Sequence, residues 1–146
     1  MRLFAGIVAA ALLLAGCGKP AELGASHAWV RLPGVAGRPG AAYFTIQGGA
    51  QADTLLAVST PAALRAELHE TLDQGGVKSM RPARDVAVPA KAVVAFAPGG
   101  RHVMLFDLGP GVKAGTRVPL SLAFASGTKL DVQAEVVGAG DPPPAP

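Results

Sequence analysis

Four side chains in one window carry most of the donor chemistry of this chain: His69, Met80, His102 and Met104, in the pattern H-x10-M-x21-H-x-M. The chain holds only 3 Met and 3 His; Met1 is the initiator, and four of the other five fall in this window. Neutral thioethers bind Cu(I) well and Zn(II), Mg(II) or Ca(II) poorly, whereas imidazole suits copper and zinc alike. Two thioethers and two imidazoles therefore point to Cu(I), one ion per chain. Any one of these residues alone reads as core filler or an ordinary hydrogen-bonded histidine. Their concentration and spacing carry the metal reading.

Strands must position such a set. Residues i and i+2 of a strand point to the same side, so His102 and Met104 present two donors from one short piece of backbone. Leu64 to Thr71 alternates, with Leu64, Ala66 and Leu68 on one face and Arg65, Glu67 and His69 on the other, which places His69 on a polar face. Asp73 to Gly76 reads as a hairpin turn that returns Val77 to Met80 toward His69. Arg81 to Arg84 reads as loop, Ala92 to Ala97 as an apolar strand, and Pro98-Gly99-Gly100 as a tight turn. His102 is then expected at the entrance of the next strand, open to water and to a partner.

At these positions the chain resembles the periplasmic copper chaperones called PCu(A)C, whose signature is similar to H(M)-x10-M-x21-H-x-M. The ELHET segment at Glu67 to Thr71, Gly75-Gly76, Arg81-Pro82 and the PGGRHVML approach to Met104 resemble the family too, as do Trp29 and Arg31 in an AWxR opening. Glu70 stands where family signatures often carry an auxiliary Met. The resemblance covers Ala28 to Val136 and implies a cupredoxin-like barrel with His69, Met80, His102 and Met104 as ligands. The acceptor it implies is the dinuclear copper centre of a haem-copper oxidase, or its assembly factor.

Upstream, Arg2 and the apolar run Leu3 to Leu14 end in Leu14-Ala15-Gly16-Cys17, a lipobox. A run this short reads as a secretory signal rather than a membrane span. Residues 1–16 are expected to be cleaved and Cys17 to carry the lipid, which anchors the protein to a membrane of the bacterial envelope, facing the periplasm; the choice of membrane stays open. Because Cys17 is the only cysteine, lipidation leaves no disulfide and no thiolate ligand. Blue-copper electron transfer and cysteine-based catalysis are thereby excluded. Basic and acidic residues number 13 and 10. The basic ones are scattered without interleaved aromatics, so no nucleic-acid partner is expected.

Residues 17–26 read as a small, polar tether and 27–137 as the copper-binding domain. Residues 138–146, GAGDPPPAP, read as a Pro-rich extended or disordered tail. His27 lies outside the motif and is read as a strand-end histidine, and Trp29 as core. Short strands with turn signals at regular spacing, and no helical pattern past the signal, predict an all-β, cupredoxin-like Greek-key sandwich or barrel. Delivery of Cu(I) to an acceptor is the leading expectation, and envelope copper sequestration without specific delivery uses the same ligands. No triad, paired-carboxylate cleft or phosphate loop is visible, so no enzyme is expected.

Overall fold

Alternating apolar residues and closely spaced turns build ten strands in the computed structural model, which describes residues 18–146. The leader and the lipobox Cys17 lie outside the described residues. The strands are β1 (Gly24–Arg31), β2 (Gly40–Gln47), β3 (Asp53–Ser59), β4 (Ala63–Gln74), β5 (Val77–Pro82), β6 (Val86–Val88), β7 (Val93–Phe96), β8 (Arg101–Leu108), β9 (Arg117–Phe124) and β10 (Lys129–Val137). Among the described residues there is no helix.

All ten strands join in one sheet, ordered β5-β4-β8-β7-β2-β1-β10-β9-β3-β6, with β8 also pairing with β2. The sheet curls on itself, so that Leu56 and Val58 of β3 line a depression with Ala66 and Leu68 of β4 from near its opposite end. Every strand except β5 supplies buried side chains to one continuous core, including Val30, Phe44, Ile46, Leu55, Val88, Val103, Leu105, Leu120, Leu122 and Val136. Fully burying a side chain of this size stabilises by about 1.5–3 kcal/mol relative to exposure, so this cluster dominates the driving force for folding. β5 contributes none of it: all six of its residues are exposed. It depends instead on its hairpin, whose Gly75 and Gly76 take φ values of 64° and 86°, the double left-handed turn that matches the twist of two antiparallel strands.

Three boundaries differ from expectation. β1 begins at Gly24, inside the stretch read as tether, because Gly24, Ala25 and Ser26 pair through their backbones with Gln47, Ile46 and Thr45. Small residues give no pattern that announces such pairing. β5 continues through Arg81 and Pro82, read as loop, since both stay in register opposite Glu70 and His69. The tail begins with an ordered turn: the Gly138 amide donates to Asp141 Oδ2 at 2.7 Å, and Arg31 Nη2 donates to the Asp141 carbonyl at 3.1 Å.

A bulge in β1 between Ser26 and Trp29, with His27 at a φ of 51°, breaks the alternation so that Ala28, Trp29 and Val30 are all buried in succession. Val30 enters the main core, while Trp29 packs with Tyr43 and Val137 on the outer face of the sheet.

Candidate metal centre

Register alone brings the four predicted residues to one face. His69 of β4 lies directly opposite His102 of β8 and, on its other side, opposite Pro82 of β5. Thr71 opposes Met80, and Met104 is flanked by Glu67 and Ala41. Opposed residues share a face, as do residues two apart, so His69, Met80, His102 and Met104 all project outward, away from Leu68, Val103 and Leu105. Each strand thus gives its alternate residues to two tasks.

The two imidazoles stack with ring centroids 5.8 Å apart and an interplanar angle of 22°. Each is held through Nδ1 by the carbonyl two residues earlier in its own strand: His69 by Glu67 at 3.3 Å and His102 by Gly100 at 3.1 Å. A carbonyl can only accept, so Nδ1 carries the proton in both rings and the Nε2 lone pairs are left for a ligand. His102 Nε2 is buried and has no hydrogen-bond partner among the described residues. A buried polar atom without a partner is uncommon in folded proteins, and an ordered water or an ion is among the groups that satisfy one. Glu67 adds an anionic oxygen 4.0 Å from His69 Nε2, which favours a cation there, while Arg65, 3.2 Å from the same carboxylate, tempers that charge.

His69 and His102 are only 8% and 5% exposed. His69 is on the predicted polar face but is itself buried, while Arg65 on the same face is exposed. For His102 the sequence expectation is corrected: it is enclosed at the second position of β8 rather than open at its entrance. The segment after β7 runs close by, with the Thr71 amide donating to the Gly100 carbonyl at 3.2 Å. The thioethers differ from the imidazoles. Met104 is half-buried and Met80 is 64% exposed.

Met80, His102 and Met104 line a single outward depression of about 190 Å³ together with Pro39, Gly40, Ala41, Tyr43, Thr71 and Gly99. His69 sits beside it, against His102 and outside the lining. Among the described residues no three His, Cys, Asp or Glu side chains are placed to hold a metal ion by themselves.

The sequence reading missed the aromatic wall of this depression. Tyr43 and Trp29 lie 4.4 Å apart between ring centroids, and the Arg31 guanidinium sits 4.8 Å from the Trp29 ring centroid. Burial raises the Tyr43 phenol above its usual pKa, and the Arg31 charge partly offsets that rise. Within AYFTIQ, Tyr43 reads only as a strand former. Its place near Met104 depends on the β2–β8 register, which local sequence does not encode.

Comparison with known proteins places this geometry in a family. Residues 23–136 match the family described as "Putative lipoprotein LpqE-like". The "Putative lipoprotein Lxx21020" of Leifsonia xyli subsp. xyli (strain CTCB07) is 32% identical over 112 residues, 76% of this chain and 67% of that protein. Among solved structures, the solution structure of CuI-DR1885 from Deinococcus radiodurans is similar with a TM-score of 0.62 at 29% identity, over 84% of this chain and 81% of the other. The copper-bound PCuAC domain from PmoF2 is similar with a TM-score of 0.65 over 82% of this chain and 97% of the other; at 20% identity this likeness speaks to the fold. The curled all-β sheet is accordingly the cupredoxin-like PCuAC fold, and the chain belongs to the LpqE-like lipoprotein family.

Proposed function

We propose that the protein is a copper carrier of the cell envelope that binds one Cu(I) through His69, Met80, His102 and Met104 and passes it to an acceptor. The observation that carries this reading is the pair of facing imidazoles, each fixed through Nδ1, with Nε2 of His102 buried and unpartnered, on the face that also bears Met80 and Met104. The copper-bound PmoF2 domain and CuI-DR1885 share the fold and support the metal assignment.

The division between buried imidazoles and a 64% exposed Met80 favours delivery over sequestration. Two enclosed nitrogens retain the ion while an accessible thioether can be displaced by an incoming sulfur, so ligands exchange one at a time. No redox step is needed: the ion enters and leaves as Cu(I). By resemblance, the acceptor is the dinuclear copper centre of a haem-copper oxidase or its assembly factor. Membership of a lipoprotein family supports a lipid anchor at Cys17 and a periplasm-facing position.

An anaerobic competition titration against a chromophoric Cu(I) chelator tests the proposal. One ion per chain, with weakened binding in both Met80→Ile and His102→Ala, is the expected result. Failure of the wild type to compete, or unchanged binding in both variants, would overturn it.

A further inference from the structure

β5 is the last strand at its end of the sheet and is paired only with β4. The phase of that pairing determines which of its backbone groups remain free. A two-residue hairpin makes its flanking residues, Gln74 and Val77, a hydrogen-bonded pair, after which bonded and non-bonded pairs alternate. By that count Leu72–Ser79 and Glu70–Arg81 exchange ladder bonds, while Asp73–Lys78, Thr71–Met80 and His69–Pro82 do not. The Ala83 amide donating to the Leu68 carbonyl at 2.8 Å continues the same phase, and Pro82, which has no N–H, falls on a non-bonded position as it must. The N–H and C=O groups of Lys78 and Met80 therefore point away from β4 toward the open edge.

We propose that this edge is the docking site of the copper-accepting protein, which adds an acidic extended segment as a further strand centred on Met80. The inference rests on the copper-carrier reading above and specifies how that site meets its partner. Main-chain pairing supplies affinity in such strand addition, and alternate side chains supply specificity.

Charge selects the occupant. β5, VKSMRP, carries Lys78 and Arg81 and no acidic residue. Beyond Pro82 the edge opens on a cleft of about 320 Å³ lined by Arg81, Arg84 and Arg101 against Glu70 and Asp85. Glu70 is already engaged by Arg81, whose Nε donates to it at 2.6 Å, and among the described residues Arg84 and Arg101 form no ion pair. A second copy of this chain, paired β5 to β5, would bring two edges of the same positive sign together, which disfavours self-pairing.

Geometry gives the docked strand its use. In antiparallel pairing, a residue opposite Met80 exchanges two main-chain hydrogen bonds with it and projects its side chain onto the same face, with Cα atoms about 5.5 Å apart. A Met or Cys at that position is aimed at the ion beside the Met80 sulfur. The acceptor's sulfur–copper bond forms as the Met80 sulfur–copper bond breaks. Copper stays Cu(I), and where the incoming donor is a thiol its proton passes to solvent.

The test uses the full chain, selectively ¹⁵N-labelled at Lys and Met, with a short capped peptide of alternating Thr and Glu around a central Met, and the same peptide with Lys replacing Glu. In the metal-free protein the acidic peptide is expected to shift the amides of Lys78 and Met80 and slow their hydrogen exchange, and the basic peptide to leave them unmoved. Lys78→Pro removes an outward N–H without breaking a bond to β4. It is expected to keep wild-type Cu(I) affinity while losing roughly tenfold or more in peptide binding and in the rate of Cu(I) transfer to the peptide. Lys78→Glu keeps the N–H and should reverse the preference between peptides. Absence of shifts on β5, shifts confined to Met104, or equal transfer from wild type and Lys78→Pro would overturn the docking site while leaving the copper titration standing. Peptide pairing on β5 in a chain that fails to bind Cu(I) would instead overturn the carrier reading alone.

Discussion

Residues 102 to 105 serve two faces of one strand, and the contrast between those faces separates stability from function. Val103 and Leu105 point inward and have no exposed surface, packed in the main core. His102 and Met104 point outward toward a depression bordered by Met80 and Tyr43. The same alternation holds in β4, where Leu68 belongs to the core and His69 faces His102. One backbone therefore bears both the core residues and the His69, His102 and Met104 side chains. The outer face carries an unpartnered nitrogen, His102 Nε2, among mixed polar and apolar neighbours.

The sharpest way to separate the faces is to damage the inner one. Leu105→Ala should lower unfolding free energy by about 2–5 kcal/mol, the cost of a buried leucine plus its cavity. Cu(I) stoichiometry at low temperature should stay at one per folded chain. Chemical denaturation combined with the chelator titration reads both quantities.

Damage to the outer face should have the opposite profile. His102→Ala is expected to weaken Cu(I) by roughly 100-fold or more, beyond the ~10–100-fold usual for residues that only support a ligand. Its effect on stability should stay within about 1–3 kcal/mol, because removing a buried nitrogen without a partner relieves a desolvation cost and offsets part of the lost packing. Loss of stability matching Leu105→Ala, with copper binding intact, would erase the distinction between the faces.

These two faces were not equally legible in the sequence. The spacing of the four side chains, the strands that bear them and the alternation of β4 can be read locally, since period-2 patterning reports which residues share a face. The burial of His69 and His102 could not be read that way. Alternation describes one strand, whereas the two rings are set face to face by the β4–β8 register. Gly24 to Ser26 escaped notice because their side chains are small and only Ala25 packs on the core, and the β1 bulge hid that Ala28, Trp29 and Val30 are buried in succession. Tyr43 joins the depression through a pairing between segments about sixty residues apart.

Smaller effects sharpen the comparison within the outer face itself. Met80→Ile should leave unfolding free energy within about 0.5 kcal/mol, as expected for an exposed side chain away from the core. Its Cu(I) affinity should fall by less than that of His102→Ala, because the enclosed imidazoles remain. Stopped-flow transfer to a chelator should change more than the equilibrium affinity does.

The smallest effect lies far from the donors. The Ser126 hydroxyl donates to Asp53 Oδ2, and the Thr54 and Ser126 amides donate to Oδ1 at 2.8 and 3.1 Å. Chiefly through the Ser126 hydroxyl, these bonds hold the Asp53 carboxyl below its ordinary pKa of 3.8. A lowered folded-state pKa contributes stability that is present above the unfolded value and lost as pH falls through the folded one. Asp53→Asn should therefore remove a small part of the acid dependence below about pH 4, leaving copper binding near neutral pH unchanged. Melting curves across that acid range check it.

X-ray absorption of the copper-loaded protein reads out whether two imidazoles and two thioethers on the outer face hold one Cu(I). Two nitrogen and two sulfur scatterers are predicted, with one sulfur lost in Met80→Ile and one nitrogen lost in His102→Ala. A shell of nitrogen and oxygen alone, or a wild-type spectrum unchanged in both variants, would contradict it.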